Sequence, residues 1–520
     1  MELSSEVLLT GPPEAAETRT KEEEMRTKFV MLLAIAAVCV TTAWAGWGPE
    51  QQITNNKTAN DLRLGNGHKV VVAANGVRHV VWQGPVMYKR YYPGSGWTPD
   101  FQLAQNGGFP SIALDPNGTD IHVVWEGSVA VPGPHNKPSS TNHVFYQKCV
   151  PGSSGNGGWV GTPRDLTPNG YNCRAPAVAC YRDGGNVDHV AVTWFVMDKD
   201  TVGFRECVAG TWGGPCYLVG AGGIEREANA SISADPQARY GDAFISCAVW
   251  SGGSGVYVFR RQNGVWQPRE LAMPDNPGTI DYYSSCIEVD LSTGYPHVVS
   301  DAGGGDPYGV HQIAHTYWDP GLGWQPVEML SDQFGQIYWP PFPNMFFSGG
   351  SAYVVWAEDS SGVRGIRYSV GQYANWTTPA WLTSGHNADS PNVIASSTGD
   401  VFVVWQDGRA KAAQIWGRLY TPGSGGGMAR PIAISQLGVE LFPNPTKTGR
   451  VTVQYSLPRA EPARVTLLDV SGRAVRTQEI PATGRSGSFS IDVGGLNAGV
   501  YVARLVAGDL SVSKSLVVER

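Results

Sequence analysis

One four-residue element recurs seven times along the middle of this 520-residue chain. Each copy is built mainly from β-branched or other apolar residues, with histidine first in three copies, and ends on tryptophan in six cases and on serine in one. The copies are HVVW at 79–82, HVVW at 122–125, AVTW at 191–194, CAVW at 247–250, HVVS at 297–300, YVVW at 353–356 and FVVW at 402–405. Such segments are typical of strands that are buried on both faces.

The flanking residues also repeat. A short strand and a tight turn precede each element, as in Pro110–Leu114 followed by Asp-Pro-Asn-Gly at 115–118. An aromatic, basic strand such as Tyr88–Tyr92 follows it, and then a Gly-Trp turn such as Gly96–Trp97 leads into a last strand. Each repeat of about 50 residues therefore predicts four antiparallel strands.

Four-stranded units repeated in this way predict an all-β fold, a β-propeller over residues 46–435. Seven elements indicate seven blades, with six as the alternative count, and open stacking into a solenoid is the alternative arrangement. The 65 glycines and 36 prolines argue against a helical bundle. The abundant aromatic residues and the low charged fraction, 16%, argue against disorder.

Two segments could supply the fourth strand that closes the ring. One is Gly46–Thr54 at the start of the repeat region, and the other is Ala429–Ser435 at its end. The sequence does not decide between them.

Turns with glycine before tryptophan, Asp319–Trp324 and Pro93–Trp97, resemble degenerate Asp-boxes of the sialidase-like propeller superfamily. The full Ser-x-Asp-x-Gly-x-Thr-Trp pattern is absent. The resemblance supports the fold more than any chemistry.

The N-terminal 45 residues resemble a secretory leader. An apolar run at 29–43 follows Arg26 and Lys28, and Ala43-Trp44-Ala45 fits signal peptidase cleavage after Ala45. We expect translation to start at Met25. A buried helix is the alternative, and no membrane span is expected in the mature chain. The formal charge of −7, without a basic block, argues against nucleic-acid binding.

Seven cysteines remain after residue 45, and this odd number leaves at least one unpaired. Cys207 and Cys216 flank a glycine-rich turn and could form a disulfide, whereas buried free thiols are the alternative. No spacing suits zinc, so we expect no metal and no cofactor. Histidines at one repeat position are expected to be structural: His79, His122, His189 and His297.

Residues 436–520 form a separate predicted module with short alternating strands. Four motifs in this module closely resemble those of the C-terminal sorting domain of the type IX (Por) secretion system. They are Phe442–Pro445, Leu-x-Asp-x-x-Gly-Arg ending at Arg473, Leu-x-x-Gly-Val-Tyr ending at Tyr501, and Lys514–Val518. The resemblance implies an Ig-like β-sandwich, handling by that machinery, and a secreted or outer-surface location in a Gram-negative bacterium. An ordinary Ig-like spacer is the alternative.

Strand order predicts which face of the propeller would bind a ligand. Loops after the recurring element share one rim with the connections between blades, and aromatic rings beside carboxylates suit sugars. Solvated loops are the alternative interpretation. The predicted binding residues on this rim are Glu126, Asp301, Glu358, Asp407, Arg409, Tyr171 and Trp339.

The sequence favours a non-catalytic surface or secreted protein that binds an extracellular glycan or protein. The alternative is a divergent exo-sialidase-like glycoside hydrolase, for which Arg63, Arg174, Arg226, Tyr282 and Tyr283 are candidates. The Arg-Ile-Pro motif of the sialidase family is absent from this sequence. A structural surface-layer component is a further alternative.

Overall fold

A computed structural model describes most of the chain after residue 45. The described residues are 46–63, 66–132, 138–152, 155–168, 170–218, 229–249, 255–275, 281–303, 311–331, 341–360, 363–373, 375–396, 399–421, 438–442, 444–447, 449–457, 462–480, 486–508 and 510–519. None of them lies in a helix, so this part of the chain contains no helix that could cross a membrane. The predicted leader, including the 29–43 run, lies outside them.

The chain divides into two units. The smaller comprises residues 1–46 and 421–428, of which only Gly46 and Thr421 are described. The larger comprises residues 47–420 and 429–520.

Seven antiparallel sheets follow one another along residues 46–421. Sheet 1 contains Val70–Val72, Arg78–Trp82, Val86–Tyr92, Gly96–Trp97 and Phe101–Ala104. Sheet 2 contains Gly107–Leu114, Ile121–Pro132, Pro138–Cys149 and Trp159–Asp165. Sheet 3 contains Cys173–Arg182, Asp188–Val196, Thr201–Val208, Thr211–Trp212 and Cys216–Leu218. Sheet 4 contains Ser231–Ala234, Ala243–Val249, Gly255–Gln262, Val265–Trp266 and Glu270–Pro274.

The remaining sheets have the same plan. Sheet 5 contains Asp281–Asp290, Tyr295–Gly303, His311–Asp319, Gly323–Trp324 and Glu328–Met329. Sheet 6 contains Asn344–Ser348, Ser351–Ser360, Val363–Gln372, Asn375–Trp376 and Ala380–Thr383. Sheet 7 contains Asp389–Ala395, Val401–Asp407, Gln414–Thr421, Gly46–Trp47 and Gln51–Gln52. In the five-stranded sheets the two short outer strands both pair with the third strand, so they act as one interrupted fourth strand.

The N-terminal segment completes sheet 7. Gln51 and Gln52 pair with Gly417 and Trp416, and the Gly48 amide donates to the Leu419 carbonyl at 2.8 Å. Of the two segments that could fill this position, the first is therefore found there. The second, at 429–435, lies outside the described residues.

The first strands form a closed ring. Each contacts the first strand of the next sheet, and that of sheet 7 contacts that of sheet 1. Side chains reinforce these contacts: Asn344 accepts from the Val393 amide at 2.9 Å, and Asn392 accepts from the Lys69 amide at 2.8 Å. Sheets arranged radially in this way make a β-propeller, as the sequence predicted.

The recurring element is the second strand of each sheet. Its tryptophans are fully buried between sheets, and each removes a large apolar area from water. They are Trp82, Trp125, Trp194, Trp356 and Trp405.

Three of the four histidines at the repeat position, His79, His122 and His297, are buried beside aromatic residues. His79 Nδ1 lies 2.7 Å from the Tyr88 hydroxyl, and His122 Nδ1 lies 2.8 Å from the Tyr146 hydroxyl. Burial lowers the pKa of His79 to about 3 and that of His122 to about 4. Both rings are therefore neutral packing groups of the strands at ordinary pH.

All seven cysteines of the described part are free thiols. Cys216 pairs in the sheet with Phe204, whereas Cys207 pairs with Trp212, so the proposed disulfide between these two cysteines is not formed. Cys207 lies on the third strand of sheet 3, and Cys216 pairs with a different position of that strand, so the two thiols do not face each other.

The C-terminal residues form two further antiparallel sheets. One contains Gly438–Phe442, Arg450–Ser456 and Ser486–Asp492. The other contains Ala474–Ile480, Ala463–Leu468, Gly499–Ala507 and Leu510–Val518. Val453 from the first sheet and Val465 and Leu505 from the second belong to one buried core, so both sheets are stabilised by the same apolar contacts.

Residues of the matched motifs make the turns of this module. Asn444 donates to the Ser515 carbonyl at 2.7 Å and accepts from the Val517 amide at 2.9 Å. Asp469 accepts from the Arg473 amide at 3.1 Å, and the Tyr501 hydroxyl donates to a backbone carbonyl at 2.9 Å. These side chains fix loop ends that would otherwise be free.

Candidate functional site

Polar residues from sheets 1 to 3 meet where the second strands end. We call this group the Glu126 cluster. It lies on the predicted rim and consists of Asp61, Arg63, Gln83, Phe109, Glu126 and Arg174.

Gln83 connects sheet 1 to sheet 2 within this cluster. Its amide nitrogen donates to Asp61 Oδ2 at 3.1 Å, and its amide oxygen accepts from the Phe109 backbone N–H at 2.8 Å. Asp61 in turn accepts from Arg63 Nε at 2.5 Å. The Arg63 side chain is 61% exposed, so its guanidinium remains available to solvent on this rim.

Glu126 and Arg174 connect sheet 2 to sheet 3. Glu126 Oε2 accepts from the Ala175 amide at 3.0 Å and lies 3.7 Å from Arg174 Nε. Burial raises the pKa of Glu126, and the Ala175 amide and Arg174 partly oppose this. The Arg174 guanidinium lies 5.4 Å from the centre of the Phe109 ring, and its side chain is 41% exposed.

Backbone strain accompanies this arrangement. Phe109 and Ala175 have φ values of 47° and 49°, and each precedes a proline. The left-handed region is unfavourable for non-glycine residues, and strained backbone is often found at binding sites. Phe342 and Ser390 have the same geometry before prolines in sheets 6 and 7, so the strain also belongs to the repeat.

The cluster offers complementary chemistry to a saccharide. Exposed guanidinium groups can make charge-assisted hydrogen bonds to a carboxylate or sulfate. Phe109 supplies an apolar surface, and Glu126 accepts hydrogen bonds or, when protonated, donates one. No group of three or more potential metal-ligating side chains is found among the described residues.

Three other predicted carboxylates have side-chain partners within or beside their own sheets. Asp301 is fully buried and accepts from His311 Nδ1 at 2.8 Å, and burial raises its pKa against the opposing effects of His311 and Arg364. Glu358 accepts from Arg367 at 2.7 Å and from Trp356 at 2.8 Å.

Asp407 and Arg409 pair with each other at the end of the second strand of sheet 7. Arg409 Nε donates to Asp407 Oδ1 at 2.9 Å, its Nη1 donates to Glu50 at 2.8 Å, and its guanidinium lies 4.0 Å from the Trp416 ring. These contacts hold the N-terminal segment in the sheet.

Tyr171 lies beside the cluster along the chain, three residues before Arg174. Its ring makes an edge contact with Tyr217 at 5.8 Å, and Lys199 Nζ lies 4.0 Å from its centre. The predicted residues Trp339 and Arg226 lie outside the described residues. The side chain of Tyr283 also lies outside them.

Asp61 and Gln83 were not among the predicted site residues. Gln83 occupies the position directly after the recurring element, as Glu126 and Asp301 do in their sheets. Alignment of the repeats could therefore have identified it. Asp61 precedes the first repeat strand and joins the cluster through an isolated bridge to Gln83 and through side-chain contacts with Gln83 and Arg63. The sequence does not signal these contacts.

Solved structures with similar folds include saccharide-active proteins. An ulvan lyase of polysaccharide lyase family PL25, bound to a GlcA(1-4)Rha3S saccharide, is 14% identical, with a TM-score of 0.50 over 72% of this chain and 96% of that chain. The polysaccharide lyase Uly1 is 13% identical, with a TM-score of 0.48 over 72% and 99%. A Penicillium chrysogenum alpha-L-arabinanase complexed with arabinobiose is 15% identical, with a TM-score of 0.38 over 60% and 93%. The similarity to the ulvan lyase shows a shared fold and nothing more.

Sequence comparison identifies the C-terminal module. No curated protein matches the chain at a significant level. Residues 440–519 match the family model described as the secretion system C-terminal sorting domain. This domain implies export of the chain, to the medium or to the cell surface. The C-terminal two-sheet module is thus a type IX secretion system sorting domain.

Proposed function

We propose that this chain is an exported seven-bladed β-propeller, followed by an Ig-like sorting sandwich, whose Glu126 cluster binds an extracellular anionic glycan. The observation that carries the proposal is the exposed Arg174 guanidinium beside Phe109 and the buried Glu126. In the described part of the chain, the ion pairing of Arg174 is a single contact of 3.7 Å. A sugar carboxylate or sulfate could therefore approach it more closely than Glu126 does.

The neighbouring residues support an extended ligand. Arg63 offers a second exposed guanidinium on the same cluster, and Lys199 lies against the ring of Tyr171, three residues before Arg174 along the chain. A polymer with repeated negative charges would contact both guanidinium groups. Glu358, Asp407 and Arg409 take no part in this proposal because their charged groups are engaged within the protein.

Replacing Arg174 by alanine is expected to weaken binding of an anionic polysaccharide at least tenfold, because a charge-assisted contact is lost. Binding of the full exported chain to uronate-containing, sulfated and neutral polysaccharides can be compared by affinity electrophoresis. Arg174→Lys should retain part of the affinity. Arg164→Ala, an exposed arginine on the outer strand of sheet 2, is the matched control. Equal binding by wild type and Arg174→Ala would contradict the proposal.

Glycan cleavage is a second candidate function, and the raised pKa of Glu126 favours it, because a protonated carboxyl can act as a general acid. Tyr282 does not fit the role of a sialidase nucleophile: it is buried, and burial raises its pKa to about 12. Release of reducing sugar by wild type but not by Glu126→Gln would support cleavage. Binding without release would support a non-catalytic protein, and neither result would favour a structural surface-layer role.

A further inference from the structure

A cavity of about 680 Å³ lies at the end of the ring opposite the Glu126 cluster. Phe109 of that cluster is near the start of the first strand of sheet 2, whereas Ile112 to Leu114, at the end of the same strand, line the cavity. The first strands of all seven sheets contribute to its wall. Its volume is in the range of typical small-molecule sites.

Among the described residues, two carboxylates line this cavity, Glu288 and Asp290. Glu288 Oε1 accepts from His68 Nε2 at 2.5 Å, and its Oε2 accepts from the Ser233 hydroxyl at 2.9 Å. The His68 ring makes an edge contact with Phe346, with ring centres 5.5 Å apart. Because each carboxylate oxygen can accept more than one hydrogen bond, Glu288 can still accept from a ligand.

The rest of the cavity wall is mainly apolar. It includes Val72, Leu114, Val178, Ile232 and Ile394. A second carboxylate, Asp290, is engaged by Ser292 and Gln372, and it is 1% exposed. A sugar needs many polar partners around its ring, and these walls supply few.

We propose that this cavity binds a small amphipathic molecule, an apolar chain or ring that carries one protonated amine. The ammonium group would donate to Glu288, and the apolar body would displace water from the aliphatic walls. An amine suits the site better than a carboxylate, because a second negative charge beside Glu288 would be repelled in this enclosed setting. This site is separate from the proposed glycan surface.

Octylamine is a suitable probe, with octanoate and octanol as matched controls of equal chain length. Isothermal titration calorimetry of the full exported chain should show one saturable octylamine site and no octanoate binding. Octanol should bind at least tenfold more weakly than octylamine, because it lacks the charge. Equal affinity for all three compounds, or no saturable binding of octylamine, would overturn the proposal.

Two substitutions locate the site. Glu288→Gln should weaken octylamine binding about tenfold or more, and Ala234→Leu, on the cavity wall, should abolish it by occupying the space. Arg174→Ala on the opposite face should leave octylamine binding unchanged, so failure of the glycan proposal would not affect this test. If both cavity variants unfold cooperatively like wild type yet bind octylamine with wild-type affinity, the assignment is wrong.

Discussion

Replacing Lys69 by methionine is expected to raise the free energy of unfolding at pH 7 by about 2 to 4 kcal/mol. Lys69 is 1% exposed, and its ammonium donates to the Pro110 carbonyl at 2.7 Å. Burial lowers its pKa from 10.5 to about 7, with a smaller opposing effect from Asp61. Few substitutions in this chain should stabilise it as much.

The sign of this stability change depends on whether the folded or the unfolded chain binds the Lys69 proton more tightly. In the unfolded chain, Lys69 is protonated below pH 10.5. In the folded chain, it becomes protonated only when the pH falls to about 7. Stability is therefore lost as the pH falls from 10.5 to 7, by roughly 1.4 kcal/mol per pH unit. Methionine removes this penalty, and the loss of the donor to Pro110 offsets part of the gain.

Urea unfolding of wild type and Lys69→Met at pH 7 and pH 11 measures the effect. The advantage of the variant should be present at pH 7 and absent at pH 11, where lysine is neutral in both states. Lys57→Met, at an exposed position, is the matched control and should change little. A variant that is less stable than wild type at pH 7 would show that the Pro110 contact outweighs the burial penalty.

The second large effect is destabilisation by acid through His79 and His122. Their pKa values in the folded state are about 3 and about 4, because burial disfavours the charged ring. Stability is fully present above pH 6.5, where both rings are neutral in either state. It is lost as the pH falls, because only the unfolded chain takes up the protons. Each ring should account for about 3 kcal/mol between pH 6.5 and pH 4.

Unfolding free energies of wild type and the double variant His79→Gln/His122→Gln between pH 7 and pH 4 test this. The variant should be less stable at pH 7 because it disturbs packing, yet its stability should fall less steeply with acid. His386→Gln, at an exposed turn, should retain the wild-type slope. Parallel curves for wild type and the double variant would contradict the assignment.

The repeat could be predicted because each sheet buries the same strand. The element ending at Trp82, Trp125 or Trp405 is buried along its whole length and is therefore mostly apolar, and this pattern is visible in the sequence. Ring closure could not be predicted, because the pairing of Gln52 with Trp416 joins residues far apart in the chain. No local pattern distinguishes that strand from the alternative at 429–435.

The site was only partly predictable for a similar reason. Glu126 follows a recurring element, so the face of the propeller on which it lies could be predicted from the sequence. Asp407 has the same kind of position, yet Arg409 two residues later neutralises it inside the protein. Position in the repeat indicates the face on which a carboxylate lies. Whether the carboxylate is available depends on contacts such as Glu50 with Arg409, which come from the other end of the chain.

The closed ring underlies the account, because it gathers sheets 1 to 3 around Glu126 and all seven first strands around the cavity. Directly opposed residues in antiparallel strands have Cα atoms about 4.5 to 5.5 Å apart, within the range of a disulfide. In a Cys216→Ser background, Gln52→Cys with Trp416→Cys should therefore form an intramolecular disulfide, detected by mass spectrometry as a linked peptide pair. Gln52→Cys with Gln102→Cys, on the outer strand of sheet 1, should not. Absence of the first link under oxidising conditions would contradict the closed propeller.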